Sequence, residues 1–137
     1  MKPHVMIIDD TADQIQMMRA VFKIVDPALQ IISASSGDEA LKTLRMDPNS
    51  RPKVILLDLR MPGKCGSEVL AELKSDPELR RIPVCAFSNG DVETDVCACY
   101  EAGASFYFKK PTGLESLKRF AELFRGIWFD VASHCPR

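Results

Sequence analysis

Short apolar runs alternate along the chain with longer stretches in which apolar positions recur every three or four residues, and the alternation repeats five times without a self-similar sequence behind it. Each repeat reads as a strand followed by an amphipathic helix. The strands predicted are His4–Asp9, Leu29–Ala34, Lys53–Asp58, Ile82–Phe87 and Ser105–Phe108, and the helices Asp13–Val25, Gly37–Met46, Ser67–Lys74, Val92–Ala102 and Gly113–Phe129. Val54-Ile55-Leu56-Leu57 is apolar without a break, as a central strand must be when helices cover both sheet faces. The expectation is an α/β fold, a (βα)5 doubly wound parallel five-stranded sheet of order 2-1-3-4-5.

Two helix starts carry a serine or threonine three residues before a glutamate, Ser36 with Glu39 and Thr112 with Glu115. Both are predicted capping boxes, in which each side chain satisfies an orphaned backbone amide. In the fifth helix Leu117, Phe120, Phe124, Ile127 and Trp128 mark an inner face, whereas Val92, Val96, Cys99 and Tyr100 give the fourth a thinner stripe. The fourth helix is therefore expected to be the more weakly anchored.

A length of 137 residues suits one domain, expected over 1–130 with a short tail at 131–137. A net charge of −1 supplies no basic field for a polyanion, so no direct nucleic-acid contact is expected. The N-terminus runs from Met1-Lys2-Pro3-His4 straight into a short apolar strand, which predicts neither a leader nor a membrane span and favours a cytoplasmic protein. Cys65, Cys85, Cys97, Cys99 and Cys135 form an odd set without repeated metal-ligand spacing and read as reduced thiols. His4 and His134, near the termini, read as solvent-facing.

Ligands of such a sheet bind beyond the carboxyl ends of the strands. There the first predicted strand ends in Asp9-Asp10, the third in Asp58, the fourth in Ser88, and the fifth runs into Lys110-Pro111. Three carboxylates at one rim repel each other and need a cation to stay ionised; oxygen ligands in this number favour magnesium with retained waters and a phosphate oxygen. Asp58 could then attack phosphorus as a carboxylate nucleophile, with Ser88 and Lys110 stabilising the transferred group. Singly these residues mean less: Asp10 could cap the first helix, and Lys110 alone could be a solvated lysine.

In combination, Asp9-Asp10 after an apolar strand, Leu56-Leu57-Asp58-Leu59-Arg60-Met61-Pro62, Gly66, Ser88, Ala102-Gly103-Ala104 and Lys110-Pro111 resemble the CheY-like receiver domains of response regulators. The resemblance implies a single-domain regulator of a two-component system, phosphorylated on Asp58 by a histidine kinase. The resemblance further implies a switch that catalyses only its own phosphorylation and dephosphorylation. It also implies Mg2+ held by Asp9, Asp10, Asp58 and the backbone carbonyl of Arg60, a switch role for Tyr107 beside Ser88 and Lys110, and a cis Lys110–Pro111 bond. Ser75-Asp76-Pro77-Glu78-Leu79-Arg80-Arg81-Ile82-Pro83-Val84, Tyr100-Glu101-Ala102-Gly103-Ala104 and the Trp128-Phe129 ending resemble the regulators that partner bacterial phytochrome-type kinases. Arg60, Cys65 and Asn89 depart from the common pattern near the site.

A phosphatase of the haloacid-dehalogenase type would want a second aspartate two residues after the nucleophile, where Arg60 stands. A degenerate receiver acting as an adaptor is disfavoured by the intact acidic, serine and lysine set. Output is expected through contact with an unidentified target protein, or a homodimer, by the fourth helix, fifth strand and fifth helix, using Tyr107, Phe124 and Trp128.

Overall fold

The computed structural model describes residues 3–61, 63–88 and 93–131. Pro62, Asn89, Val92, His134 and Cys135, each singled out above, lie outside them, as does the predicted tail apart from Val131. The elements are β1 (Val5–Ile8), α1 (Ala12–Val25), β2 (Ile31–Ala34), α2 (Gly37–Met46), β3 (Val54–Asp58), α3 (Gly66–Ser75), β4 (Val84–Ser88), α4 (Glu93–Glu101), β5 (Phe106–Lys109) and α5 (Leu114–Arg125), with a π-helical turn at Gly126–Val131. The five strands form one sheet of order β2-β1-β3-β4-β5, parallel throughout, with Val5 opposite both Ile31 and Val54, Ile55 opposite Val84 and Cys85 opposite Phe106.

Strand alternation divides the core in two, because successive side chains point to opposite faces. Met6, Ile8, Ile55, Leu57 and Ala86 pack with Leu41 and Leu44 of α2 and Val69, Leu70 and Leu73 of α3. Val5, Ile7, Leu56, Cys85 and Phe87 pack on the other face with Met18 and Phe22 of α1 and Leu117, Ala121 and Phe124 of α5. β1, β3 and β4 are buried along their whole length, so the carboxyl ends they present are held by apolar packing on both sides.

The helix starts differ from the sequence expectation in detail. Ser36 accepts the Glu39 amide at 3.1 Å, but Glu39 reaches back to the amide and hydroxyl of Ser35, so the box at α2 is displaced by one residue. At α5 the cap is Gly113, with φ of 84° and no side-chain bond. The predicted Thr112–Glu115 box does not form, because the left-handed glycine starts the helix one residue later than a threonine cap requires.

The helical stripe of α5 also shifts at its end. The Gly126 amide bonds to the carbonyls of both Glu122 and Leu123, and the wider π turn that follows changes which side chains face inward. Ile127 is thereby 50% exposed, whereas Trp128 and Phe129 pack against the core. His4 is not simply solvated either: its Nδ1 accepts the Gln30 amide at 2.9 Å and its ring meets Phe129 edge-on.

Candidate functional site

β1 and β3 are neighbours and parallel, so the residues that follow or end them meet at one rim. Carboxylate oxygens of Asp9, Asp10 and Asp58 all lie within 4.8 Å of one another. Asp9 and Asp58 are buried, and Asp10 is exposed at the mouth. Each buried carboxylate is oriented by a backbone amide two residues on: Thr11 N–H donates to Asp9 Oδ1 and Arg60 N–H to Asp58 Oδ1, both at 2.9 Å. These turns are what Asp forms at strand ends, and they leave the second oxygen of each group for other partners.

Lys110 meets those second oxygens. Its Nζ lies 3.3 Å from Asp9 Oδ2 and 3.6 Å from Asp58 Oδ2, with the ammonium 5.2 Å from the centroid of the Phe87 ring. The lysine is aimed from the end of β5, where its own amide donates to the Ser88 carbonyl at 2.7 Å. Lys110–Pro111 is trans, since no described peptide bond is cis; the predicted cis bond is corrected. An X–Pro amide prefers trans by about 0.5–1 kcal/mol unless its surroundings select otherwise, and the trans chain already brings Nζ to the carboxylates.

Burial pushes the Asp58 carboxyl above its usual range; the Arg60 amide and Lys110 draw it back, and the charges of Asp9 and Asp10 raise it further. One ammonium against three carboxylates is a poor charge balance, and the set fits a hard divalent cation with oxygen ligands.

Ser88, the last residue of β4, is buried, and its Oγ lies 2.6 Å from the Tyr107 hydroxyl. The α3 N-terminus abuts the phosphoacceptor candidate: Gly66 N–H donates to the Leu59 carbonyl, and a Cβ at Gly66 would lie 2.5 Å from Leu59 Cα and 2.7 Å from the Asp58 carbonyl oxygen. Only glycine permits that approach. Cys65 precedes it, its thiol 3.2 Å from Glu68 Oε1, and borders a pocket of about 220 Å³ with Leu59, Arg60, Ser67 and Ala98.

The structure thus brings together Asp9, Asp10, Asp58, Ser88, Lys110 and Tyr107. It separates the predicted contact residues. Phe124 is only 4% exposed, its ring against Phe22 and Phe120; it is core, because position 124 faces α1, and is withdrawn as a contact residue. Trp128 is half-buried and hydrogen-bonded to the Cys85 sulfur. Sequence reasoning missed Phe87, whose ring lines the lysine's path, and Lys64, which ties the β3–α3 loop to Asp38 and Glu72 at 2.9 and 2.8 Å. The strand alternation of Val84–Ser88 could have signalled the first; nothing local marks the second.

The family model described as response regulator receiver domain matches residues 5–122. The chain belongs to that family. It is a receiver-domain response regulator of two-component systems, a family in which phosphorylation typically falls on aspartate with Mg2+. Response regulator Rcp1 of Synechocystis sp. is 30% identical over 133 residues, covering 94% of this chain and 90% of that protein. The phosphorylated cyanobacterial phytochrome response regulator RcpA superposes with a TM-score of 0.90 at 30% identity, over 99% of this chain and 100% of RcpA. The Mn2+-bound form of Rcp1 gives 0.85 at 32% identity, over 98% and 100%. This receiver therefore resembles a phytochrome response regulator, and a second relative, Rcp1, has been solved in a Mn2+-bound form. Among the described residues no helix is long and apolar enough to cross a membrane.

Proposed function

We propose that this receiver is phosphorylated on Asp58 by a phytochrome-type histidine kinase, with Mg2+ held by Asp9, Asp10, Asp58 and the Arg60 carbonyl. The observation that carries the reading is the meeting of three carboxylates within 4.8 Å with Lys110 Nζ between the two buried ones. When bound, Mg2+ supplies charge that offsets the carboxylates and the incoming phosphoryl oxygens. Asp58 Oδ attacks phosphorus of the kinase's phosphohistidine; the O–P bond forms, the P–N bond breaks, and its electron pair returns to the imidazole, which takes up a proton.

Lys110 stabilises charge on the phosphoryl oxygens as they pass through a planar arrangement. Ser88 gives up Tyr107 as a partner and donates its hydroxyl to one of them. The Arg60 amide keeps Asp58 Oδ1 oriented throughout. The only reactions this chain catalyses are then the gain and hydrolysis of its own acyl phosphate.

Loss of the Ser88–Tyr107 bond is the local event that alters the α4–β5–α5 face, through which we place contact with the downstream protein or a second copy. On this reading the regulator works in the cytoplasm with its kinase. Exposed Phe106, Leu114, Leu123 and Ile127 offer apolar area on β5, α5 and the turn after α5 that Phe124 cannot. The deciding experiment is incubation with acetyl phosphate, or a phosphorylated kinase, with and without Mg2+. Wild type should gain one acid-stable, hydroxylamine-labile phosphoryl group only with metal, and Asp58→Asn none; labelling of Asp58→Asn at the wild-type level would sink the assignment.

A further inference from the structure

Two hydrogen bonds of Tyr107 point in different directions, and one of these two faces the carboxylate site. Its hydroxyl meets Ser88 Oγ at 2.6 Å, while its backbone N–H donates to the hydroxyl of Tyr100 at 3.1 Å. Tyr100 stands in the last turn of α4, and β5 is an edge strand with no neighbour beyond it. An outward N–H on such an edge is ordinarily left to water. Here a helix side chain reaches across to it, and the phenol oxygen can accept that bond while its own proton stays available for another.

The connection matters because the described side chains of α4 give it little other anchorage. Among its described side chains Cys99 alone is buried, and Tyr100 itself is 47% exposed. Burial therefore does not explain the tyrosine ring as it explains Phe87 or Phe124. A phenol is a stiff arm with two side-chain torsions, suited to fixing the distance between a helix and a strand.

We infer that Tyr100 is a positioning residue, a strut whose hydroxyl ties α4 to the Tyr107 backbone so that release of Tyr107 by Ser88 is transmitted to α4. The inference rests on the assignment of Asp58 as phosphoacceptor. Tyr100 touches neither metal nor phosphoryl group, so its removal should leave chemistry at Asp58 intact and alter only the response of α4.

Amide spectra of the full chain, titrated with Mg2+ and beryllofluoride, separate these effects. In wild type and Tyr100→Phe the Ser88 and Lys110 amides should shift alike. The shifts at Cys97, Ala98 and Cys99 should fall to less than about half in the variant, and the Tyr107 amide should exchange about fivefold faster, the factor expected for loss of one modest hydrogen bond. Tyr107→Phe keeps the amide bond to Tyr100 but removes the link to Ser88, and should depress the α4 shifts to the same degree. Unchanged α4 shifts and unchanged Tyr107 exchange in Tyr100→Phe would overturn the strut, and full α4 shifts in Tyr107→Phe would do so even if Tyr100→Phe failed to fold. Absence of any response at Ser88 and Lys110 in wild type would overturn the Asp58 assignment itself, and the strut with it.

Discussion

The two halves of the sheet are built to different standards of packing. On one side β1 and β3 are buried residue by residue, and their ends carry Asp9 and Asp58, each oriented by an amide two residues on. On the other, β5 is an edge strand with Phe106 46% exposed, and α4 contributes Cys99 as its buried side chain among those described. Chemistry that depends on placing oxygens to a fraction of an ångström belongs on the first half. The proposed exchange of the Ser88–Tyr107 hydrogen bond would act on the second, where local rearrangement opposes few buried contacts among the described residues. Ser88 and Lys110 join the two, because they end or follow the strands on either side of that boundary.

The comparison is broken most completely at Asp58. Asp58→Asn should abolish phosphoryl uptake without unfolding the protein. Burial makes the ionised carboxylate costly, so in metal-free buffer at neutral pH the variant should melt at or above the wild-type temperature by calorimetry. A lower melting temperature would mean that the carboxylate contributes more through Lys110 and the Arg60 amide than burial removes.

Core deletions should then measure the asymmetry itself. Leu56→Ala on β3 removes a fully buried side chain and should cost about 2–5 kcal/mol in urea unfolding. Cys99→Ala on α4 deletes one sulfur from a thinly packed helix and should cost about 1 kcal/mol or less. Equal costs would show that α4 is as firmly held as the central strands. Between these falls Gly66→Ala: the new Cβ meets backbone at Leu59 and Asp58, so the loop must shift at a cost of about 1–3 kcal/mol. Because that loop carries Arg60, the same change should slow Mg2+-dependent phosphorylation about tenfold or more.

What could be read without coordinates follows the same division. Asp9, Asp10, Asp58, Ser88 and Lys110 were legible because apolar periodicity locates strand ends, and a parallel sheet leaves those ends together. The order of strands and both faces of the core came with them. Thr112 and Ile127 misled for different reasons: Gly113, at positive φ, takes the cap one residue after Thr112, and the π turn over Gly126–Val131 moves the inward face past Ile127. Phe124 was misjudged because five apolar positions on one helix do not say which belong to the core and which lie beyond it. The Tyr100 bond could not have been found, since a tyrosine in a weak helical stripe carries no sign that its hydroxyl will meet an amide on the next strand.

The smallest expected effect tests the comparison with the protein's own thiols. Burial pushes Cys85 on β4 up to about 12, with the Trp128 hydrogen bond acting against it, and pushes Cys99 on α4 up to about 11. Cys97 is exposed. At pH 8 iodoacetamide should therefore label Cys97 before Cys85 or Cys99. Cys99 should follow at the rate set by local opening of α4, and Cys85 only at the rate of global unfolding. The pH dependence has a defined sign. Each folded value is raised above the ordinary 9.0, so the unfolded thiol ionises first; the stabilisation from keeping Cys85 neutral is intact below about pH 9 and is lost as pH rises through about 12. Mass spectrometry of the labelled chain gives the order directly, and simultaneous labelling of Cys85 and Cys99 would show that α4 opens only when the central sheet does.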